Sequence, residues 1–284
     1  MTLAQAQSVA DLLRWAITEL APDSESARLD AEVLLAHAAN LTRARLHARP
    51  ERTIEAEVVE TFAALIGRRA RGEPIAYILG YREFWSLQLN VTPATLIPRP
   101  ETELLVEEAL ARLPADKPIR VLDLGTGSGA IALAIAKERP NCTLTALDIS
   151  PEALAVAQSN AERLQIHNVR FLHSDWFGAA PDELFDMIVA NPPYIAHGDP
   201  SLTRGDLRFE PDIALSCDAE GLAAAKVIIS EGRDHLTPGG WLLVEHGYDQ
   251  SSVLAALLKE HGWRECQTLR DYAGQPRLVI ARAP

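Results

Sequence analysis

Cysteine is scarce: three residues (Cys142, Cys217, Cys266), widely spaced in a chain of 284. That excludes a disulfide framework and a cysteine-built zinc site, and leaves reduced, partly buried thiols. Long apolar runs are missing too, none approaching the ~20 residues that cross a bilayer. Residues 1–11 lack a basic segment followed by an apolar core, so no signal peptide is expected and the cytoplasm is the expected compartment. No pair among the eight histidines has metal-ligand spacing, so no metal is expected. Basic charge is also short: 27 Lys+Arg against 39 Asp+Glu give a net charge of −12. A protein that grips duplex nucleic acid by its phosphates is normally basic, and a single-strand binder needs a basic groove with aromatics. What is present, 48% hydrophobic and 23% charged residues, is an ordinary soluble composition, long enough for two domains.

Residues 1–72 read as a small helical domain. Val9, Leu12, Leu13, Ala16, Ile17 and Leu20 share one helical face, as do Ile54, Val58, Phe62, Leu65 and Ile66. Between them 26–39 is another striped segment, with Ser24 and Ser26 as N-cap candidates. Arg43, Arg45, Arg49, Arg52, Arg68, Arg69 and Arg71 read first as a solvated face and second as a docking surface for an acidic partner or for RNA. Gly72-Glu73-Pro74 breaks the pattern. From Ile75 to Val91 the period becomes two, with a turn expected at Gly80-Tyr81, so 73–97 reads as a β-hairpin linker before a second domain at 98–284. Pro100 suits the first turn of a helix running to about Leu113, with Glu101 and Glu103 at its positive end. The same Pro98-Arg99-Pro100-Glu101-Thr102-Glu103 run also suits a lid over a cationic ligand.

Beyond Arg120, strands (121–124, 143–148, 169–172, 185–190, 241–245) alternate with helices (129–138, 151–164, 221–235, 251–261). Alternation implies an α/β fold, a mostly parallel sheet with helices on both faces. The closing strands, 262–268 and 277–281, have only a turn between them and are expected to pair antiparallel.

The first of these strands runs into Asp123-Leu124-Gly125-Thr126-Gly127-Ser128-Gly129 and a helix. Glycines there let the backbone turn tightly and come close to a ligand facing the helix N–H groups. Asp148 ends the next strand and suits a ribose diol. A dinucleotide fold is disfavoured because the third glycine comes early and no second glycine loop is visible; a Walker loop is excluded by the missing Gly-Lys-Ser/Thr. The fourth strand ends at Asn191-Pro192-Pro193-Tyr194. Neither proline can donate to a ladder, so the strand stops with Asn191 at its carboxyl end, where open α/β sheets hold ligands. Alone this is an ordinary turn. Beside a ligand loop it is a stiff pair of acceptors with a ring beside them, suited to a planar –NH2 group.

The glycine loop resembles that of class I S-adenosylmethionine-dependent methyltransferases, whose seven-stranded, doubly wound sheet has an antiparallel last strand. The resemblance implies S-adenosyl-L-methionine as cofactor, S-adenosyl-L-homocysteine as product, and a cofactor site made by Gly125, Thr126, Gly127, Ser128, Gly129, Asp148, Asp175, Trp176 and Asn191. Asp123 would lie along the methionine and ribose, and Asp175 and Trp176 would border the adenine. Across 72–284, Tyr77-Ile78-Leu79-Gly80 with Glu83-Phe84, the 96–103 run, the glycine loop, Asn191-Pro192-Pro193-Tyr194, Phe209-Glu210-Pro211 and Asp271-Tyr272-Ala273-Gly274 with Arg277 follow in order. That order resembles the peptide chain release factor glutamine methyltransferase family. It implies N5-methylation of the glutamine in the Gly-Gly-Gln motif of release factors, with Asn191, Pro192 and Tyr194 catalytic and Asn191, Pro192, Pro193 and Tyr194 binding the substrate. The partner implied is a release factor, with neither membrane nor direct nucleic-acid substrate. Rival readings are an adenine N6 or cytosine N4 amino-methyltransferase and a non-catalytic cofactor-binding adaptor for translation. Glu245-His246-Gly247 and Ser216-Cys217-Asp218-Ala219-Glu220-Gly221-Leu222 depart from the family pattern; neither is expected to touch the catalytic group.

Overall fold

The computed structural model describes residues 8–22, 24–218 and 220–284. The start of the 1–11 stretch and Ala219 of the 216–222 segment lie outside the described residues. The chain divides into two units, Met1–Gly80 and Tyr81–Pro284.

The first unit is helical: α1 (Val9–Leu20), α2 (Ala27–Ala38), α3 (Arg43–Ala48), α4 (Ala56–Ala70) and α5 (Ile75–Leu79). Its core is the set of stripes visible in the sequence, Leu12 and Leu20 of α1, Leu34 and Leu35 of α2, and Phe62 and Ile66 of α4. Ser8 and Thr42 cap α1 and α3 through their hydroxyls. Ser26 sits at the start of α2 but does not cap it; its hydroxyl and that of Ser24 go instead to the buried carboxylate of Asp30, at 2.9 Å each. Asp30 also takes Arg69 at 2.8 Å, Glu32 takes Arg43 at 2.9 Å, and Arg68 is tied to Glu73. Three of the seven clustered arginines therefore neutralise acids of their own unit, while Arg45, Arg49 and Arg52 are exposed.

The stretch from Ile75 departs from the hairpin expected there. Pro74 precedes a single helical turn, α5, closed by Gly80 in the left-handed region (φ 81°) whose N–H returns to Ala76. That is the usual asymmetry of proline at the start and glycine at the end of a helix. The hairpin is shorter, β1 (Tyr81–Phe84) against β2 (Leu87–Asn90), and turns at Trp85-Ser86 rather than at Gly80-Tyr81. It packs on the helix Pro151–Leu164 of its own unit, where Asn160 accepts from the Asn90 N–H at 2.7 Å and donates to its carbonyl at 3.0 Å.

The rest of the second unit is α6 (Glu103–Arg112), β3 (Arg120–Leu124), α7 (Ala130–Glu138), β4 (Thr143–Asp148), α8 (Pro151–Leu164), β5 (Val169–His173), β6 (Phe185–Ala190), α9 (Asp212–Leu215), α10 (Ala223–Glu231), β7 (Leu236–Glu245), α11 (Ser251–Glu260), β8 (Arg264–Arg270) and β9 (Pro276–Arg282). The seven-stranded sheet has the order β5-β4-β3-β6-β7-β9-β8, with β9 antiparallel to both neighbours and the other pairings parallel. This is the doubly wound α/β architecture with an antiparallel last strand. Alternate strand residues sort to opposite faces: Val121, Met187 and Leu243 join a core with α6 and α7, while Leu122, Ile188 and Leu242 join one with α10 and α11. Strand order reverses between β3 and β6, and ligands of such sheets lie outside the carboxyl ends of the strands at that point. Leu124 pairs with Ala190, so the glycine loop and Asn191 leave the sheet side by side.

Candidate active site

The loop after β3 is held open by its own hydrogen bonds. The N–H groups of Gly125 and Thr126 both donate to Leu147 O at 2.9 Å, and Gly127 N–H donates to the Asp148 carboxylate at 2.8 Å. Gly125 (φ 72°) and Gly127 (φ 56°) occupy the left-handed region, which only glycine enters freely. Asp148 takes Ser150 N–H on its other oxygen at 2.9 Å. Burial pushes its pKa up against these donors. Asp123 lies wholly buried beneath the loop. One of its oxygens takes the Thr126 hydroxyl at 2.7 Å and the other, Oδ1, has no partner. Burial raises its pKa to about 7, with the Asp148 charge adding to the shift.

The glycine loop, Leu147, Asp148 and Ser150 line a cleft of about 320 Å³. Of the residues expected at the site it brings together Gly125, Thr126, Gly127, Ser128, Asp148, Asp175, Trp176, Asn191 and Pro193. Asp123, Gly129, Pro192 and Tyr194 are not in its wall. Gly129 instead starts α7, Pro192 is buried, and Tyr194 is half-buried. Trp176 serves both packing and cleft: its side chain rests on the α10 and α11 core and its ring edge stands 4.0 Å from where a Cβ on Gly125 would be. The other rim includes Pro98, Arg99 and Thr102. It is fixed by the buried Glu210, which accepts Ile97 N–H at 3.1 Å and pairs with Arg99. The Pro-Arg-Pro run and Phe209-Glu210-Pro211, distant in sequence, are thus one structure.

Asn191 donates its Nδ2 to Thr102 Oγ1 at 3.1 Å. The two segments expected to stay clear of it do not. Glu245, next to Asn191 across the β6–β7 pair, is 2% exposed, and the side chains of Thr102 and Asn191 are among the groups that favour its ionised form. Ser216, Cys217 and Gly221 lie beside the asparagine motif. Ile195 bridges Ser216, the Cys217 thiol donates to Pro193 O at 3.3 Å, and a Cβ on Gly221 would stand 2.3 Å from Tyr194 O. Gln250 stitches the two together, donating to Tyr194 O at 2.9 Å and Gly221 O at 3.0 Å. These contacts are long-range and have no periodic signal, so sequence reasoning missed them. Tyr194 is pushed up to about pKa 12 by burial, with the Glu245 charge adding, and is a phenol at neutral pH. His246 is fully buried, bonds Gly247 O through Nδ1 at 2.7 Å and is held neutral by burial. Among the described residues no cluster of His, Cys, Asp or Glu suits a metal ion, and no helix is long and apolar enough to cross a membrane.

Comparison with known proteins agrees with this architecture. Residues 11–80 match the PrmC N-terminal domain and 100–204 the methyltransferase small domain. A methyltransferase from Pyrococcus furiosus shares the fold, with a TM-score of 0.53 at 21% identity over 76% of this chain and 96% of that one. The release factor glutamine methyltransferase of Salmonella typhimurium is 52% identical over 92% of this chain and 94% of its own. That of Escherichia coli is 49% identical over 95% and 97%. Identity of that order along nearly the whole length places the chain: it belongs to the release factor glutamine methyltransferase family.

Proposed function

We propose that the protein methylates the side-chain nitrogen of the glutamine in the Gly-Gly-Gln motif of peptide chain release factors, in the cytoplasm, using S-adenosyl-L-methionine and yielding S-adenosyl-L-homocysteine. The observation that carries this reading is the placement of Asn191, at the strand switch point and in the wall of the same cleft as the glycine loop. The names of the relatives supply the substrate class. The cleft fits the cofactor. Asp148 offers a carboxylate at the strand end, Trp176 and Asp175 stand together in the wall, and the glycine loop gives close backbone approach. When bound, S-adenosyl-L-methionine supplies a methyl group already activated by its sulfonium sulfur.

An amide nitrogen is a weak nucleophile because its lone pair is delocalised. Asn191 Oδ1 and the Pro192 carbonyl accept the two N–H groups of the substrate carboxamide, fix the nitrogen and turn its lone pair toward the methyl. Positioning of this kind is the larger part of the rate enhancement. Tyr194 stiffens the motif through its carbonyl, which Gln250 holds. The N-methylated amide is strongly acidic before it loses its proton, so the site needs no dedicated base. Transfer of labelled methyl from S-adenosyl-L-methionine to release factor, and not to RNA or DNA, is the expected result. Label on nucleic acid alone, or on no acceptor, overturns the reading.

A further inference from the structure

The glutamine-presenting amide must itself be presented the right way round. The two ends of an asparagine side chain have nearly the same shape, and one accepts while the other donates. Only the oxygen end can receive a substrate N–H. Something in the protein must therefore bind the nitrogen end.

The geometry points to Glu245 as the positioning residue that, together with Thr102, holds the Asn191 amide with its nitrogen toward the protein and its oxygen toward the cleft. The inference rests on the amide-methylating role proposed above. Asn191 Nδ2 donates to Thr102 Oγ1 at 3.1 Å. Glu245 ends β7 directly beside Asn191, is almost wholly buried, and has one oxygen, Oε2, without a partner. An ionised carboxylate has no donor. Its neighbours must turn donors toward it, the hydroxyl of Thr102 and the –NH2 of Asn191. A flipped amide would set its oxygen against the carboxylate, a clash of acceptors at a buried group. A protonated Glu245 gains an O–H and tolerates both orientations.

The charged and titratable groups around Glu245 come from several elements. Arg277, at the start of β9, favours the carboxylate, while Glu101, before α6, opposes it. The Tyr194 phenol, on the loop after β6, is charged only far above neutrality. His246 is the next residue and is neutral. Burial dominates and brings the Glu245 pKa to about 7. At saturating cofactor and release factor, kcat should therefore rise with pH through about 7. Asp123 titrates in the same range but belongs to the cofactor loop, so the variants must assign the limb.

The test measures kcat, KM for release factor and cofactor Kd against pH in four variants. Glu245→Gln carries a donor at every pH. It should lower kcat roughly 10- to 100-fold, the worth of a hydrogen bond to a charged group. It should also abolish the limb near pH 7 and leave cofactor Kd unchanged. Glu245→Asp should restore part of the rate and the limb. Thr102→Val should lower kcat in the same way, with Thr102→Ser recovering most of the loss, so that the inference stays testable if one position does not tolerate change. Wild-type kcat in both Glu245→Gln and Thr102→Val, or a limb that survives Glu245→Gln, would overturn it. Asn191→Ala run alongside separates the two claims. Were Asn191→Ala inactive while Glu245→Gln kept the wild-type profile, only the positioning role would fall; were Asn191→Ala fully active, the reading beneath it would fall.

Discussion

Gly221→Ala is the sharpest mechanical test of how the asparagine motif is held. Gly221 lies at φ +69°, and a Cβ there would stand 2.3 Å from Tyr194 O and 2.9 Å from its carbonyl carbon. The left-handed backbone costs a residue with a side chain roughly 1–2 kcal/mol. Overpacking against backbone adds about 1–3 kcal/mol. A total near ~3 kcal/mol lowers Tm by roughly 6–12 °C in a unit of this size. The effect on catalysis is separate. To reach ordinary contact the Tyr194 carbonyl must retreat by about 1 Å, and displacement on that scale can cost on the order of 10²-fold in rate. Gly221 is not in the cleft wall, so cofactor affinity should stay the same. Differential scanning calorimetry, steady-state kinetics and isothermal titration with cofactor read the three quantities. A variant with wild-type Tm would refute the steric argument. One with lowered Tm but unchanged kcat would refute the coupling of Gly221 to the asparagine motif.

Three further outcomes follow from the same structure. Asp148→Ala removes the acceptor of Gly127 and Ser150 N–H and should weaken cofactor binding roughly 10- to 100-fold, read by titration calorimetry; an unchanged Kd would remove Asp148 from the cofactor site. Glu210→Ala frees Ile97 N–H and Arg99 from the anchor of the cleft rim, and should cost about 1.5–3 kcal/mol in urea unfolding together with a lower kcat; wild-type stability would show that the rim needs no anchor. In the helical unit the Arg68 hydrogen bond holds the Glu73 carboxyl below its usual pKa. A depressed carboxyl pKa stabilises the fold above the unfolded-state value and loses that contribution as pH falls through the folded one. Glu73→Gln should thus lower Tm at neutral pH and converge with wild type in acid. A difference that persisted undiminished in acid would contradict this.

Periodicity carried most of the fold. The alternating strands and helices after Arg120, and the stripes of α1, α2 and α4, are local patterns that burial imposes on sequence, and they lie where the pattern put them. The hairpin failed for an instructive reason. Its turn uses Trp85 (φ 50°) and Ser86 (φ 55°), both left-handed without glycine. Tertiary contacts support this strained pair, with Trp85 N–H on Glu103 at 2.8 Å and its indole on Glu138 at 3.2 Å. No turn rule reads such residues as a turn. The nearby Pro74 and Gly80 were misread for the opposite reason: their helix is a single turn, too short to show a period. At the site, the glycine loop and Asn191 were visible because each sits at the end of a strand. Glu245, Thr102, Gln250 and Gly221 were not. Their roles come from neighbours between 29 and 89 positions away in the chain, and nothing in a single sequence encodes that adjacency.

The central claim is that Asn191 and Pro192 hold another protein's carboxamide against the methyl donor. Its most direct test is peptide-resolved mass spectrometry of a release factor after incubation with S-adenosyl-L-methionine and either the wild-type protein or Asn191→Ala. The account predicts a single methyl on the glutamine of Gly-Gly-Gln with wild type. It predicts loss of about 10²-fold or more in rate with the variant, at unchanged cofactor affinity. A methyl on any other residue, or equal methylation of that glutamine by the variant, would contradict it.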